Sequence, residues 1–329
     1  MAQQTQQVVL HATGAPEVMR LEPSTADFRA PGPGQVWLHQ AAIGVNPLDV
    51  SQRKGAVRIA LPSGLGLEGA GTVAAVGEGV TQVAVGDRVA YATGPLGAYA
   101  SARLFPAERL VKLPDALSFD EAAAVLFKGI TAQYLLKATC AVGPGTRIVL
   151  YGAAGGLGQI MAAWARHLGA LVMGVVSRAE SVERARAAGC HEVFIFDAAT
   201  LAGQVKQATQ GQGADVVYDP IGRVSLEASL DSLRPRGLFV SFGALSGAPA
   251  PIDMGTLNAK GSLFATRPSL AAHTATAAEY QERARDVLDA VAAGIIRPQV
   301  WRRYPLAEAA AAHADLEQGR SAGAIVLVP

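Results

Sequence analysis

RIVLYGAAGGLG, the stretch Arg147–Gly158, joins an apolar strand to a glycine-rich turn, and a helical pattern follows it directly. Glycines let the backbone turn tightly and approach a ligand closely. The start of the next helix then offers unpaired N–H groups and partial positive charge to phosphates. The spacing G-x-x-G-x-x-G differs from the usual G-x-G-x-x-G. A packing turn is therefore the alternative, but the strand and helix around the glycines favour a dinucleotide-binding turn.

Strands and helices alternate around this turn, from about residue 125 to residue 265. Strands such as Ile148–Leu150 and Val216–Tyr218 are apolar throughout, as strands buried on both faces must be. The predicted strands are Arg147–Tyr151, Ala170–Val176, Glu192–Phe196, Asp215–Tyr218, Leu238–Phe242 and Ser262–Thr266, with helices at Gly156–Leu168 and Ser181–Ala188. This alternation predicts an α/β architecture with a parallel, doubly wound sheet.

The chain before this region consists of short predicted strands broken by turns, a pattern typical of a β-rich barrel or roll. These strands are Val8–Leu10, Gln35–Ala41, Gly71–Gly77 and Gly86–Tyr91. The end of the chain adds a long predicted helix, Ala277–Ala293, and a last strand, Ala324–Val328, which we expect to pack back on the first region. We therefore predict one domain from residues 1–127 plus 267–329 and a second from residues 128–266.

The composition excludes several classes of protein. Half of the 329 residues are apolar and only 17% are charged, which rules out a disordered chain. A net charge of +1 without a basic block gives no expectation of nucleic-acid binding. The segment Met1–Gln7 lacks the features of a signal peptide, and glycines interrupt the uncharged run Ile148–Ala165, so no membrane association is expected. With only Cys140 and Cys190, we expect a cytoplasmic protein.

The residues after the predicted strand Ala170–Val176, the next strand beyond the glycine turn, indicate which dinucleotide binds. NAD-binding proteins usually place Asp or Glu roughly 20 residues beyond the glycines, on the ribose 2′-hydroxyl. Here Ser177 and Arg178 stand in that region. A cation attracts the 2′-phosphate of NADP, which an acid would repel, so we expect NADPH as the cofactor. The alternative is a solvated surface arginine that Glu180 neutralises.

Metal and nucleophile chemistry find little support in the sequence. None of the six histidines has a second His or Cys at ligand spacing, so we predict no metal site. The serines Ser101, Ser241 and Ser246 lack the local turn of a nucleophile elbow. Direct hydride transfer is the reaction that is left, in which the cofactor supplies the chemistry and the protein orients it.

The sequence resembles the zinc-free quinone oxidoreductase, or zeta-crystallin-like, family of medium-chain dehydrogenases and reductases over nearly its whole length. The segments that carry the resemblance are Gly14–Val18, Ile43–Asp49, Pro62–Gly71, Gly86–Val89, Lys128–Thr131, Gly152–Gly158, Val240–Gly243 and Thr266–Leu270. The run Gly66–Glu68 lacks the histidine of the zinc-dependent relatives. The resemblance implies a GroES-like β-rich catalytic domain, a Rossmann nucleotide-binding domain and a homodimer paired near Ser262–Thr266.

The resemblance also implies which residues contact the cofactor. These are Asn46, Thr131, Ala154, Gly155, Gly156, Leu157, Ser177, Arg178, Phe196, Phe242, Gly243 and Arg320. The backbone amides of Gly155, Gly156 and Leu157 would meet the pyrophosphate, and Asn46 would lie beside the nicotinamide. The alternative for Asn46 is that it only shapes the turn before Pro47.

A reduced acceptor develops negative charge on oxygen, and a donor must stabilise that charge. The catalytic candidates are the amide of Asn46 and the hydroxyls of Ser51 and Tyr91, with water as a further donor. Relatives often have Tyr where Ser51 stands. The alternative for Tyr91 is a purely structural role.

Three functions follow from the resemblance. The first is NADPH-dependent, zinc-independent hydride transfer to quinones in the interdomain cleft. The second is reduction of the C=C bond of conjugated enals, enones or haloacrylates. The third is a non-enzymatic NADPH- and RNA-binding crystallin role, against which the near-neutral charge argues. The expected partner is a small quinone or conjugated carbonyl substrate.

Overall fold

Residues 5–24 and 31–329 are described by a computed structural model, in which the chain divides into two units. The first unit contains the described residues up to Ile130, together with Ala275–Asp289 and Pro298–Pro329. The second contains Thr131–Thr274 and Ala290–Arg297. Residues 1–4, the start of the polar N-terminal segment, lie outside the described residues.

The secondary structure follows the alternation that the sequence predicts. The strands are β1 (Gln6–Leu10), β2 (Met19–Pro23), β3 (Gln35–Val45), β4 (Ser63–Gly64), β5 (Glu68–Val76), β6 (Arg88–Ala92), β7 (Ala102–Pro106), β8 (Val111–Lys112), β9 (Arg147–Tyr151), β10 (Leu171–Val176), β11 (Glu192–Ile195), β12 (Ala214–Asp219), β13 (Leu233–Ser241), β14 (Phe264–Thr266), β15 (Val300–Pro305) and β16 (Ala324–Val328). The α-helices are α1 (Pro47–Arg53), α2 (Phe119–Gln133), α3 (Gly156–His167), α4 (Val182–Ala187), α5 (Leu201–Ala208), α6 (Leu226–Asp231), α7 (Met254–Ala259), α8 (Leu270–His273), α9 (Ala277–Ala292) and α10 (Ala309–Glu317).

The second unit contains a six-stranded sheet in the order β11-β10-β9-β12-β13-β14, with every neighbouring pair parallel. The middle residues of the central strands β9 and β12 are apolar, as expected where helices cover both faces of a sheet. Ile148, Val149 and Leu150 accordingly have no exposed surface. The predicted doubly wound sheet is confirmed, although β13 begins at Leu233 rather than at Leu238.

The first unit contains a seven-stranded sheet in the order β15-β16-β3-β5-β6-β8, with β7 also paired to β3. A three-stranded sheet, β2-β1-β4, accompanies it. The last strand, β16, pairs antiparallel with β3 and places Ile325 opposite Val45. Strands that are far apart in the sequence, β3 and β16, are therefore neighbours in this sheet. The side chains of Leu38, Ile43 and Phe105 are buried in the core of the unit.

A buried polar network connects α10 to α1 within the first unit. The Tyr99 hydroxyl lies 3.0 Å from Asp49 Oδ2, to which it donates, and 2.9 Å from His313 Nε2. The fully buried Arg53 pairs with Glu317 on α10. These contacts hold the C-terminal helix through hydrogen bonds in addition to apolar packing.

Burial shifts the pKa values of Asp49 and His313, which lie at the two ends of this network, in opposite directions. It raises the pKa of Asp49 to about 7, although the hydrogen bonds from the Asn46 backbone N–H and Tyr99 oppose the change. Burial, with the nearby positive Arg53, lowers the pKa of His313 to about 3. In mildly acidic solution the folded network therefore holds neutral Asp49 and neutral His313, whereas the unfolded chain carries both as ions.

We predict that the pH dependence of the two groups cancels in the wild type. Asp49 alone lowers the free energy of unfolding as pH rises from about 4 to about 7, and His313 alone lowers it as pH falls from about 6.5 to about 3. The free energy of unfolding of Asp49→Asn should therefore fall as the pH is lowered, because His313 remains. That of His313→Phe should fall as the pH is raised towards neutral, because Asp49 remains. Each slope should reach at most about 1.4 kcal/mol per pH unit.

Urea denaturation of the wild type and both variants, at several pH values between about 4 and 6.5, measures these slopes. Identical pH dependence in all three proteins would contradict the assigned protonation states.

Candidate functional site

The predicted glycine turn connects β9 to α3 through a conformation that needs glycine. Gly152 has φ +66°, in the left-handed region that side chains disfavour. A Cβ atom on Gly158 would lie 2.1 Å from the carbonyl oxygen of Gly152. The helix can therefore begin against the end of the strand only because both residues lack a side chain.

The backbone amides of this turn differ in what they can bind. The Gly155 amide donates to the Gly152 carbonyl at 2.9 Å, so a phosphate would have to share that hydrogen. The amides of Gly156 and Leu157 open α3, where no carbonyl precedes them within the helix. The helix dipole adds partial positive charge at this end. The turn therefore offers an anion-binding cradle in which Gly156 and Leu157 are the strongest donors, with the buried Ala154 beside them.

The strand order of the second unit reverses between β9 and β12, the topological switch point where doubly wound sheets bind ligands. Gly152, Ser177 and Phe242 directly follow the carboxyl ends of β9, β10 and β13. These ends lie on the same edge of a parallel sheet. The structure thus brings the predicted glycine turn to the same edge as the predicted contacts at both ends of the dinucleotide.

The predicted 2′-phosphate site is open to solvent. Ser177 and Arg178 are both exposed, and Arg178 Nε lies 3.4 Å from Glu180 Oε1. An exposed ion pair of this kind contributes at most about 1 kcal/mol, so an arriving phosphate can displace it. Phe196 lies nearby in the sequence and packs edge-on against Tyr151, with ring centroids 5.7 Å apart.

At the end of β13, Phe242 and Gly243 are half-buried. A Cβ on Gly243 would lie 2.5 Å from the Pro220 carbonyl oxygen, so only glycine permits this close backbone approach. Arg267 donates to Ser241 Oγ at 3.1 Å and to the Gly243 carbonyl at 3.3 Å. Arg267 belongs to Thr266–Leu270, one of the segments that carry the family resemblance, but it is not among the predicted site residues.

Asn46 follows β3 directly, begins α1 and is completely buried. Its backbone N–H donates to Asp49 Oδ2 at 2.9 Å, which shapes the turn into the helix. Its side chain has other partners: Nδ2 donates to Glu68 Oε2 at 2.8 Å, and Oδ1 accepts from Lys128 Nζ at 2.8 Å. The side chain is therefore held in one orientation by two charged groups.

Glu68 and Lys128 are the residues that sequence reasoning missed. Glu68 is fully buried, and its Oε1 accepts the Phe127 backbone N–H at 2.7 Å. Burial raises the pKa of Glu68, and the nearby Lys128 and the Asn46 hydrogen bond oppose that change. Each carboxylate oxygen accepts a hydrogen bond, as the ionised form requires. Lys128 is the only charged residue between Ala122 and Leu136, a signal that could have identified it.

Gly44 makes room for this buried carboxylate. A Cβ on Gly44 would lie 2.1 Å from Glu68 Oε2 and 2.3 Å from the Ala123 carbonyl oxygen. Glycine is thus required where β3 passes beneath Glu68 and α2.

The other predicted catalytic hydroxyls have partners within the first unit. Ser51 Oγ, on α1, donates to the Pro47 carbonyl at 3.0 Å. Tyr91 is fully buried; its hydroxyl donates to Gln40 at 2.5 Å and accepts from Arg103 at 3.2 Å. This arrangement favours the structural alternative for Tyr91.

Two further predicted cofactor contacts lie in different surroundings. Thr131 is a buried residue of α2. Arg320 has a half-exposed side chain that pairs with Asp315. Their contacts with a cofactor stay predictions.

The described residues, 5–24 and 31–329, lack two other kinds of feature. They contain no group of three or more His, Cys, Asp and Glu that could hold a metal ion. Within the same part of the chain, no helix combines the length and apolar character that crossing a bilayer requires.

Two family models match the chain. Residues 32–115 match the alcohol dehydrogenase GroES-like domain, and residues 188–327 match the model described as zinc-binding dehydrogenase. The first match covers much of the β-rich unit and confirms the predicted GroES-like fold.

Individual relatives match nearly the whole chain. It is 44% identical to 2-haloacrylate reductase of Burkholderia sp over 98% of both chains. It is 43% identical to quinone oxidoreductase of Pseudomonas aeruginosa over 97% of this chain and 98% of that protein. Escherichia coli quinone oxidoreductase complexed with NADPH matches with a TM-score of 0.94 and 39% identity, over 98% of this chain and 100% of that one. The chain therefore belongs to the quinone oxidoreductase family of medium-chain dehydrogenases and reductases.

Proposed function

We propose that this protein is an NADPH-dependent quinone oxidoreductase whose hydride transfer needs no zinc. The observation that carries the proposal is the anion-binding turn between β9 and α3, at the switch point of a parallel sheet. The identity of 43% to a quinone oxidoreductase over nearly the full chain supports the choice of acceptor.

The residues present fit a phosphorylated dinucleotide. Gly158 lets α3 start close against the end of β9, and the amides of Gly156 and Leu157 at this helix start suit the pyrophosphate. Ser177 and Arg178 offer a hydroxyl and an exposed cation to the 2′-phosphate. We further assign Ala154, Gly155, Phe196 and Arg320 to the same cofactor, and Thr131, Phe242, Gly243 and Asn46 to its nicotinamide end. When bound, NADPH supplies the hydride.

The orientation of Asn46 limits what its side chain can do for the reaction. Its amide oxygen accepts from Lys128, and one amide hydrogen goes to Glu68. Only the second Nδ2 hydrogen is left for a ligand. Asn46 therefore acts towards a cofactor or acceptor as a donor, positioned by the two charged residues.

Reduction of an activated alkene is the second candidate function, because 2-haloacrylate reductase is 44% identical to this chain. The C=C bond of a haloacrylate, enal or enone takes a hydride at one carbon and a proton at the other. This reaction therefore depends more strongly on a proton donor than quinone reduction does, since a hydroquinone anion can take its proton from water.

We expect rapid NADPH oxidation with simple quinones in the presence of EDTA, and slower oxidation of NADH. A matched panel of quinones, enals, enones and 2-haloacrylates, followed by absorbance of the reduced nicotinamide, measures this. Turnover confined to the alkenes would replace the first candidate with the second. Loss of activity in EDTA, restored by zinc, would contradict metal independence.

Arg178→Ala should weaken NADPH binding much more than NADH binding, because only NADPH carries the 2′-phosphate. One charge-assisted contact contributes about 1.5–3 kcal/mol, which corresponds to roughly a tenfold or larger change in the ratio of dissociation constants. Titration of both reduced cofactors by fluorescence gives these constants.

Glu180→Gln is the matched control for Arg178→Ala, because it removes the acid that competes with the phosphate for Arg178. It should leave NADPH binding unchanged or make it tighter. Equal weakening of both cofactors by Arg178→Ala would remove Arg178 from the phosphate site.

We also infer a homodimer, paired through the sheet edge near Ser262–Thr266, in the cytoplasm. β14 is an edge strand, and its Phe264 side chain is 61% exposed. An exposed apolar edge strand is a template for pairing with another chain. The two cysteines are unpaired, which suits a reducing compartment.

Light scattering should give a dimer mass for the wild type and a monomer mass for Phe264→Glu. Val85→Glu, at a 63% exposed residue of the first unit, is the control and should stay dimeric. A monomeric wild type would contradict the inference.

A further inference from the structure

The Lys128 side chain is nearly buried, yet the protein uses only part of its hydrogen-bonding capacity. Only 10% of the side chain is exposed. Its ammonium donates to Asn46 Oδ1 at 2.8 Å and lies 3.6 Å from Glu68 Oε2, beyond ordinary hydrogen-bond length. In the part of the chain that the structure describes, no other acceptor contacts it. Since an ammonium carries three N–H donors, at least one is available to a ligand.

The arrangement differs from that of a simple buried ion pair. In such a pair the lysine would bond directly to the carboxylate, because desolvation of both charges requires close compensation. Here the hydrogen bonds to the two Glu68 oxygens come from Phe127 and Asn46. Glu68 therefore balances the charge of Lys128 from a distance, and Asn46 fixes the position of Nζ. The cluster holds a desolvated cation with an unused donor, as a site for an oxygen ligand would.

We propose that Lys128 is a catalytic residue that binds the acceptor oxygen conjugated with the bond being reduced. This oxygen is a carbonyl in a quinone and a carboxylate oxygen in a haloacrylate, so one ammonium suits both acceptor classes. The inference rests on the proposed function and adds the proton donor that it lacks. It also makes Asn46 and Glu68 the positioning residues of that donor.

The proposed step balances in electrons and protons. The quinone takes a hydride, which brings two electrons and one hydrogen, and becomes the hydroquinone monoanion. The Lys128 ammonium transfers one proton to the anionic oxygen and becomes a neutral amine. Water returns a proton to the amine, so each turnover consumes one quinone, one hydride and one proton from solution.

The kinetic test compares Lys128→Met with Lys112→Met, a control at an exposed lysine that is paired with Asp87 in the same unit. Removing one donor to a developing oxyanion lowers the rate by about 10²- to 10³-fold. We expect a loss of that size in kcat/KM for quinones in Lys128→Met, and no more than a small change in Lys112→Met. The dissociation constant of NADPH should stay nearly unchanged in both.

A spectroscopic test does not depend on turnover. The phenol 4-nitrophenol resembles the reduced acceptor, ionises near neutral pH and changes colour when it does so. In the wild type with oxidised cofactor, bound 4-nitrophenol should ionise at a pH lower by at least about one unit, a tenfold change in its ionisation constant. In Lys128→Met the bound and free forms should ionise alike. A residue that only supports the fold would not move this spectrum.

Each outcome bears on the proposal. If the wild type turns over quinones but does not shift the ionisation of 4-nitrophenol, Lys128 is not the donor and the proposed function still stands. Unchanged kcat/KM in Lys128→Met also overturns the proposal. Absence of wild-type turnover would instead count against the proposed function. Should Lys128→Met fail to fold with Glu68 unpaired, the double variant Glu68→Gln/Lys128→Met removes both charges and is expected to show the same losses.

Discussion

The burial of one carboxylate organises the first unit around its site. Glu68 has no exposed surface, so each of its oxygens needs a donor and its charge needs a cation. The Phe127 amide, the Asn46 side chain and Lys128 supply these, and Gly44 leaves the space. Because the donors come from different parts of the chain, the carboxylate fixes β3, β5 and α2 against one another. The same bonds fix the amide of Asn46 and the ammonium of Lys128, so the contacts that stabilise the unit also orient the groups of the proposed acceptor site.

The second unit is governed by a backbone constraint instead. Gly152 adopts a left-handed conformation, and Gly158 lies against its carbonyl, so α3 starts directly at the end of β9. This places free amides and a helix dipole at the switch point of the sheet. In the proposed function these amides bind the pyrophosphate, and Arg178 provides selectivity between dinucleotides. We therefore propose separate tasks for the two units: the backbone of the second binds the dinucleotide, and charged side chains of the first act on the acceptor.

The structure agrees with the sequence prediction where the signal is local. The apolar strand Arg147–Tyr151 and its glycine turn have the predicted bounds, and the predicted last strand Ala324–Val328 is also found as such. Isolated polar residues give no such local signal. Tyr91, a catalytic candidate, is buried among hydrogen-bond partners from other strands, and Lys128 contacts Asn46 and Glu68 from distant parts of the chain. Whether a polar side chain meets a ligand depends on long-range contacts that neighbouring residues in the sequence do not reveal.

The sequence by itself determined the fold class, the glycine turn and the family, because periodicity, turn residues and motif spacing are properties of neighbouring residues. Only the tertiary structure decided which charged groups meet. The contacts of Asn46 with Glu68 and Lys128, of Tyr99 with Asp49 and His313, and of Arg53 with Glu317 join residues that lie as much as 264 positions apart. Their protonation and reactivity follow from burial and pair distances, which exist only once β3, β5, α2 and α10 have packed together.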